Sequence, residues 1–291
     1  MIEATIGILT YNGAPRVDHC LESIFKFTEP RKGVSLVVCD DGSTDGGKAT
    51  RLVGKKYGVP VISHDRNYGI SRGWNSLSRY YDCNFVVLLN DDIIVQRGWL
   101  HNLLFFLQNN KCGGVGVSQH RMHPSDAPAL LRGDPVVPLD FDDPQRQRRV
   151  PTRIGQFEHC RPGRVMCATG SIFGFSRALY ERIAEGFNKG VGFDEAYQSF
   201  YEESDFGTAC AALGYPSYQI NNPMAWHEWS ATFAQNPELR ASLRMQLSRA
   251  YYINKWNGHF EETNPRYLGV IPPLEVTWVA PDGKIHKEMD S

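Results

Sequence analysis

The sequence predicts an α/β protein with a mainly parallel central sheet covered by helices on both faces. Two observations carry that prediction. The first hundred residues alternate short apolar runs with segments of helical period, the pattern of parallel strands joined by crossover helices. Each of the first four runs also ends in a polar or acidic cluster, as suits a sheet that binds ligands outside the carboxyl ends of its strands.

The elements follow in order. "ATIGIL" (Ala4–Leu9) reads as a buried strand, and Val17, Cys20, Leu21, Ile24 and Phe25 then recur at helical spacing. Val34–Val38 is a second strand, followed by a polar helix with capping residues before it and Gly58 after it. "VPVIS" is a third strand and "SRGWNSLSRYY" a third helix. "FVVLL" is a fourth strand and "GWLHNLLFFLQ" a fourth helix, with Leu100, Leu103, Leu104 and Leu107 on one face. Gly113–Ser118 is a fifth strand. From Gln119 to Arg164 periodicity fails and Pro, Arg and Asp accumulate, as in a long irregular loop; its Arg146, Arg148, Arg149 and Arg153 read as a solvated cluster. Order resumes at Val165–Ser176. A helix follows it, then another that opens with Glu202 and Glu203, and a short extended piece at Tyr218–Ile220. A long helix aligns Leu239, Leu243, Leu247 and Tyr251, and a hairpin around Pro281-Asp282-Gly283 ends the sequence.

Composition sets outer limits. A chain of 291 residues, 42% hydrophobic and 22% charged, can bury a sizeable core. With 31 Lys and Arg against 32 Asp and Glu, no global field draws it to nucleic acid or anionic lipid. Its seven cysteines include no Cys-x-x-Cys pair and read as free thiols of a reducing compartment. The N-terminus has no basic segment before an apolar one, and no run reaches the ~18 apolar residues of a membrane span. These features predict a cytoplasmic protein, with peripheral membrane contact as the variant.

The strand tips carry the chemistry. They are Thr10-Tyr11-Asn12-Gly13, Asp40-Asp41-Gly42-Ser43, His64-Asp65-Arg66-Asn67 and Asn90-Asp91-Asp92. Polar strand ends are commonplace, but two Asp-Asp pairs on one edge are not. Adjacent carboxylates at a buried strand's end suit a hard divalent cation, Mg²⁺ or Mn²⁺, completed by phosphate oxygens and water. "HEWSA" lacks the second histidine of a zinc-protease helix, and "GGVGV" lacks the spacing of a dinucleotide fingerprint. Trp74 and Trp99 read as core, and His120 and His123 as surface residues.

Taken together, "VVCDDGSTD", "LLNDD" and "FDEAYQSFYEESDF" resemble the family 2 glycosyltransferases, nucleotide-diphospho-sugar enzymes with the GT-A fold. The resemblance runs from about Ala4 to Phe233. It includes "DRNYGISRGWNSL" and "ATGSIFGFSRALYERI"; "KWNG" at Lys255–Gly258 is similar to a rhamnosyltransferase-type subgroup. The resemblance implies these roles. Thr10, Tyr11 and Asn12 line the nucleotide site. Asp41, with Asp40 beside it, holds a uracil or thymine base and ribose, and Arg72 approaches the base or diphosphate. Asn90-Asp91-Asp92 stands at the family's Asp-x-Asp motif, with Asn90 and Asp91 at the donor and Asp92 the direct Mn²⁺ or Mg²⁺ ligand; Asn90 departs from the usual acid. His227 completes the metal or diphosphate shell. Glu203 stands at the general base, in Glu-Glu where the family has Glu-Asp. Glu202, Asp205 and Trp226 lie on the acceptor or positioning side.

The expected activity is inverting transfer of a sugar from a UDP- or dTDP-sugar to a hydroxyl on a glycan, lipid-linked saccharide, protein or modified nucleobase. The alternatives are a nucleotidyltransferase making nucleotide sugars, for which "TYNGAPRVD" is a poor phosphate loop, and a non-catalytic sugar or nucleotide binder. The expected division is a catalytic domain at 1–233, with a nucleotide half at about 1–95, an acceptor half at about 96–233 and the irregular loop 119–164 within it. A C-terminal helix and hairpin at 234–291 follow, offering a surface for homo-oligomers.

Overall fold

The computed structural model describes residues 2–28, 33–140, 148–149, 161–229, 231–261 and 271–290. Arg146, Arg153 and Cys160 lie outside them. The first half alternates as its periodicity predicts: β1 (Ile2–Thr10), α1 (Ala14–Phe27), β2 (Val34–Asp40), α2 (Lys48–Tyr57), β3 (Val61–Ser63), α3 (Ile70–Tyr80) and β4 (Cys83–Asn90). A two-residue strand β5 (Ile93–Ile94) follows the Asp91-Asp92 pair directly, and α4 (Trp99–Asn109) and β6 (Val115–Arg121) come next. The region read as irregular holds a 3₁₀ turn at Pro124–Asp126 and the short helix α5 (Ala127–Arg132). Arg148 pairs with Asp140 and Arg149 with Asp126, so this part of the basic cluster is neutralised by the chain itself. The remainder comprises β7 (Gly163–Val165), β8 (Ile172–Ser176), α6 (Arg177–Gly186), α7 (Glu202–Ala212), β9 (Ser217–His227), α8 (Ala231–Gln235), α9 (Ala241–Trp256) and the antiparallel pair β10 (Glu275–Val279) and β11 (Ile285–Met289).

The main sheet runs β3-β2-β1-β4-β8-β6-β9-β5, with β7 also on β9. Parallel pairing holds across β3, β2, β1 and β4 and again between β6 and β9. β8 lies antiparallel to both β4 and β6, and β5 and β7 are antiparallel to β9. The longest pairings are parallel, as the sequence suggests; the antiparallel directions of β8, β5 and β7 are not legible in it. The physical reason is that an apolar run buried on both faces, such as "IFGF", reads the same in either direction. β9 extends well past the Tyr218–Ile220 piece: it crosses Asn221 and Asn222 because its register against β6 shifts between Val117 and Gln119.

Two apolar layers clothe the sheet. One packs Val17, Cys20, Leu21 and Ile24 of α1 with Leu100, Leu103, Leu104 and Leu107 of α4, and Val276 and Trp278 of β10 join it. Phe25 faces outward and stacks on Tyr57 at 5.4 Å. The other packs Trp74 and Leu77 of α3, Leu179 and Ile183 of α6, Phe206 and Ala209 of α7, and Trp256 of α9. Trp74 and Trp99 are both core residues. α9 contradicts its apolar pattern: Leu243, Leu247 and Tyr251 are exposed, and the helix is held from its other side by hydrogen bonds and Trp256.

Candidate active site

A cleft of about 330 Å³ opens at the carboxyl ends of β1, β2 and β4. Thr10, Tyr11, Asp41, Asn90, Asp91, Asp92, Glu202, Glu203 and His227 all line it. Asn12, Asp40, Arg72, Asp205 and Trp226 do not.

At the β2 end, Asp40 and Asp41 point opposite ways, as neighbours in extended backbone do. Asp40 turns into the protein and braces its loop, accepting from Ser43 N at 2.8 Å, Ser43 Oγ at 2.9 Å and Thr50 Oγ1 at 2.5 Å. Asp41 faces the cleft. Its Oδ1 accepts from His64 Nδ1 at 2.7 Å and Tyr68 N at 3.1 Å; its Oδ2 accepts from Gly69 N at 2.8 Å. A carboxylate offers about four lone-pair sites, so one site, on Oδ2, is left over. Gly69 is required here: its φ is +96°, and a Cβ would sit 2.2 Å from Gln198 O. Asn12, with a left-handed φ of 53°, accepts from Thr44 N at 2.9 Å and donates to Asn236 at 2.8 Å. Arg72 stacks its guanidinium 3.7 Å from the centre of the Tyr68 ring on the outer surface. The cation that does line the cleft is Arg244 of α9, which donates to Ser199 Oγ at 3.3 Å. No motif singles it out among the arginines of "LRASLRMQLSR".

At the centre, Asp91 and Asp92 again diverge. Asp91 is 3% exposed and ion-paired with Arg16 of α1, Nε to Oδ1 at 3.0 Å and Nη2 to Oδ2 at 3.2 Å, while Thr10 Oγ1 donates at 2.5 Å. Gly13 permits this approach, since a Cβ there would lie 1.9 Å from Asp91 Oδ2. Burial pushes the Asp91 carboxyl up to about 6, and Arg16 opposes it. Arg16 also donates to Gln235 and Thr232, tying Asp91 to α8.

Asp92 meets His227 instead. β5 pairs Ile93 with His227, so the residue just before β5 is delivered beside the end of β9. Asp92 Oδ1 and His227 Nε2 are 3.1 Å apart, and both atoms are buried without a well-formed hydrogen bond. Gln119 orients the ring: its Oε1 accepts from Ser171 Oγ at 2.7 Å and lies 3.0 Å from His227 Nδ1, while its Nε2 donates to Val117 O at 2.8 Å. An amide oxygen cannot donate, so Nδ1 carries the proton and Nε2 is available to share a lone pair. Burial works to raise Asp92, but His227 beside it, with Arg16 behind, outweighs burial and holds Asp92 below the usual carboxylate range.

These residues fit a divalent cation. Adjacent ligands of an octahedral ion with ~2.1 Å bonds are about 3 Å apart, which matches the separation of Asp92 Oδ1 and His227 Nε2. Among the described residues no group of three or more His, Cys, Asp and Glu side chains is placed to hold an ion. The remaining ligands would have to come from substrate and water.

At the far end, α7 opens with Glu202 and Glu203. Burial raises both carboxyls, Glu202 well above the ordinary range and further raised by Glu203. Each carboxyl acts on the other: Glu203 pushes Glu202 further up, while Glu202 opposes the rise of Glu203. Oε2 of each is left buried and unpartnered. Gly170 faces them: a Cβ there would come 3.5 Å from Glu203 Cδ.

Asp205 turns away, 1% exposed, to Trp256 and Lys255. Trp226 packs with Ile94, Met122 and Leu130 in a small separate cluster. His120 is buried against the Trp226 ring, 4.9 Å away, and burial lowers it to about 4; His123 caps the 3₁₀ turn after β6. Sequence reasoning missed Arg16, Gln119 and Arg244. Their partners lie 75, 108 and 45 positions away, beyond any local signal.

The model of the family described as "Glycosyl transferase family 2" matches residues 5–184, more than half of the chain. No curated protein matches. Among solved structures, the mannosyltransferase PcManGT from Pyrobaculum calidifontis, in complex with GDP-Man and Mn²⁺, is similar with a TM-score of 0.59 at 20% identity. The match covers 87% of this chain and 64% of that one, so this chain spans less than two thirds of its length. S. aureus TarS 1–349 is similar with a TM-score of 0.53 at 15% identity, covering 91% of this chain and 76% of that one. At these identities the likeness is one of fold, the GT-A arrangement of a central sheet flanked by helices. With its family model spanning the strands that build the cleft, the chain belongs to glycosyltransferase family 2.

Proposed function

We propose that the protein transfers a sugar from a pyrimidine nucleoside-diphosphate donor to an acceptor hydroxyl with inversion, and that Glu203 is the general base. The observation that carries this reading is the single cleft holding both a carboxylate with an unpartnered oxygen, Glu203, and the oriented Asp92–His227 pair. Glu203 takes the acceptor hydroxyl's proton, the task of a positioned carboxylate. The freed oxygen attacks the anomeric carbon opposite the leaving diphosphate, so one displacement inverts the centre. Asp92 and His227 would hold Mn²⁺ or Mg²⁺, which supplies charge stabilisation to the departing diphosphate. Arg244 offers a second positive charge from the cleft wall. Asp41 supports a pyrimidine: its one remaining lone pair suits the single N3–H of uracil or thymine. Guanine presents N1–H and N2–H₂ side by side and needs two acceptors. The GDP-Man in the similar mannosyltransferase belongs to that protein. The retained Glu203 and Asp92 favour this reading over a non-catalytic binder. Cytoplasmic placement and pairing through the exposed face of α9 remain part of the proposal; among the described residues no helix is long and apolar enough to cross a membrane.

The test is donor hydrolysis, with water in the acceptor's place. UDP-, dTDP- and GDP-sugars are incubated with Mn²⁺, and nucleoside diphosphate release is measured. Release from UDP- or dTDP-sugars that is lost in Glu203→Gln and in Asp92→Ala supports the reading. Release that persists in Glu203→Gln refutes the base, and a preference for GDP-sugars refutes the pyrimidine assignment.

A further inference from the structure

We propose that Lys255 and Trp256, at the C-terminal end of α9, are positioning residues for Glu203 that act through Asp205. The inference rests on the assignment of Glu203 as the base. Neither Lys255 nor Trp256 lines the cleft, so any effect on the reaction must pass through the protein.

Asp205 is two residues beyond Glu203, in the first turn of α7. Its carboxylate accepts from Trp256 Nε1 at 2.8 Å, Lys255 Nζ at 2.9 Å and Tyr197 Oη at 3.2 Å. Lys255 Nζ also donates to Asn188 Oδ1 at 2.6 Å and Asp194 Oδ2 at 2.8 Å, so all three of its N–H bonds are spent. Four of these groups come from the 188–205 segment and two from α9. The helix thus grips the first turn of α7 from outside the cleft.

That turn needs holding. Phe200 and Tyr201, immediately before Glu202, have φ of 67° and 69°. Two consecutive non-glycine residues in the left-handed region are strained, and such strain persists only where the surroundings enforce it. Relaxing it would rotate the start of α7 and swing both glutamates. Asp205 N donates to Tyr201 O at 2.8 Å, joining the gripped residue to the strained one. α9 also holds the other side of the turn: Ser248 Oγ donates to Ser199 O at 2.8 Å, and Arg244 donates to Ser199 Oγ. One helix therefore links the cleft's arginine to its base.

The experiment compares hydrolysis of the preferred nucleotide sugar, with Mn²⁺, in Lys255→Met, Lys255→Arg, Trp256→Phe, Tyr252→Phe and Glu203→Gln, alongside thermal melts. Tyr252 lies on the same helix and bonds Thr208 at 2.6 Å without a hydrogen bond to Asp205; Phe there keeps the ring against Tyr201, 5.3 Å away, so its variant reports the loss of one helix–helix bond with the strained turn still packed. Lys255→Met is expected to lower kcat about 10- to 100-fold, as a roughly 1 Å misplacement does, with donor KM little changed. Lys255→Arg should recover most of the loss. Trp256→Phe removes only the N–H donor and carries the same test if Lys255→Met does not fold. Wild-type kcat in both Lys255→Met and Trp256→Phe, with melts lowered as in Tyr252→Phe, overturns the inference and leaves a purely structural role. So does an equal kcat loss in Tyr252→Phe. Turnover that survives in Glu203→Gln overturns the base assignment itself, and this inference with it.

Discussion

Removing Arg16 tests whether the first aspartate of the pair is a structural charge, answered within the chain. Arg16→Met leaves a side chain of similar reach and takes away both N–H donors to Asp91, at 3.0 and 3.2 Å. Asp91 keeps only Thr10 and has almost no route to water at 3% exposure. Hydrogen bonds to a charged group contribute about 1.5–3 kcal/mol each, so losing two predicts about 3–6 kcal/mol. Breaking a buried ion pair from one side costs roughly 3–5 kcal/mol by direct comparison with other proteins. The two routes agree on about 4 kcal/mol, a large part of the ~5–15 kcal/mol that holds a protein folded. Asp91→Asn should cost a similar amount, because it strands the guanidinium. The double variant Arg16→Met/Asp91→Asn should recover at least ~2 kcal/mol relative to the sum of the singles, since neither charge is then left without its partner. Urea unfolding of the four proteins measures this directly. A coupling energy below ~0.5 kcal/mol would show that Arg16 and Asp91 are near each other without depending on each other, and the structural assignment of Asp91 would fail.

Two further predictions concern the chemistry. Gln119→Leu removes the acceptor for His227 Nδ1 and should weaken Mn²⁺ binding about 10- to 100-fold, read by calorimetry in the presence of UDP; unchanged affinity would mean that His227 needs no orienting partner or is no ligand. The rate of donor hydrolysis should fall on the acid side with a midpoint above 4.5, the ordinary value for a glutamate, because burial raises Glu203 and only its ionised form accepts a proton. Mn²⁺ must be saturating, so that loss of the ion on the acid side does not mimic the effect. A rate that stays flat below pH 4.5 would exclude Glu203 as the base.

How far the sequence could be read depended on how far apart the interacting residues lie. The alternation from β1 to β4 is local: each run and each helical face repeats within a dozen residues, so its period is visible. The direction of β8 and the length of β9 depend on which strands lie beside them, and no period records that. The acidic pairs show the same limit at closer range. "DD" at 40–41 and at 91–92 marks the correct edge, but the two members of each pair take different partners: Asp40 braces its loop while Asp41 faces the cleft, and Asp91 is ion-paired with Arg16 while Asp92 meets His227. Choosing between them needs the partner: Thr50 for Asp40, Arg16 for Asp91, His227 for Asp92.

The arginines make the point most sharply. Arg72 follows the third strand tip and is the natural choice by proximity in sequence, yet it stacks on Tyr68 outside the cleft. Arg244 enters from a helix whose apolar spacing suggested that Leu243, Leu247 and Tyr251 would face the core. The opposite face packs inward instead, because Arg244, Ser248, Lys255 and Trp256 find buried polar partners on the 188–205 segment. Satisfying those groups outweighs burying three side chains that tolerate water. Hydrophobic period therefore misjudges a helix whose inward face is polar, and the polar face of such a helix is where side chains that reach a cleft from outside its strands, as Arg244 does, should be sought.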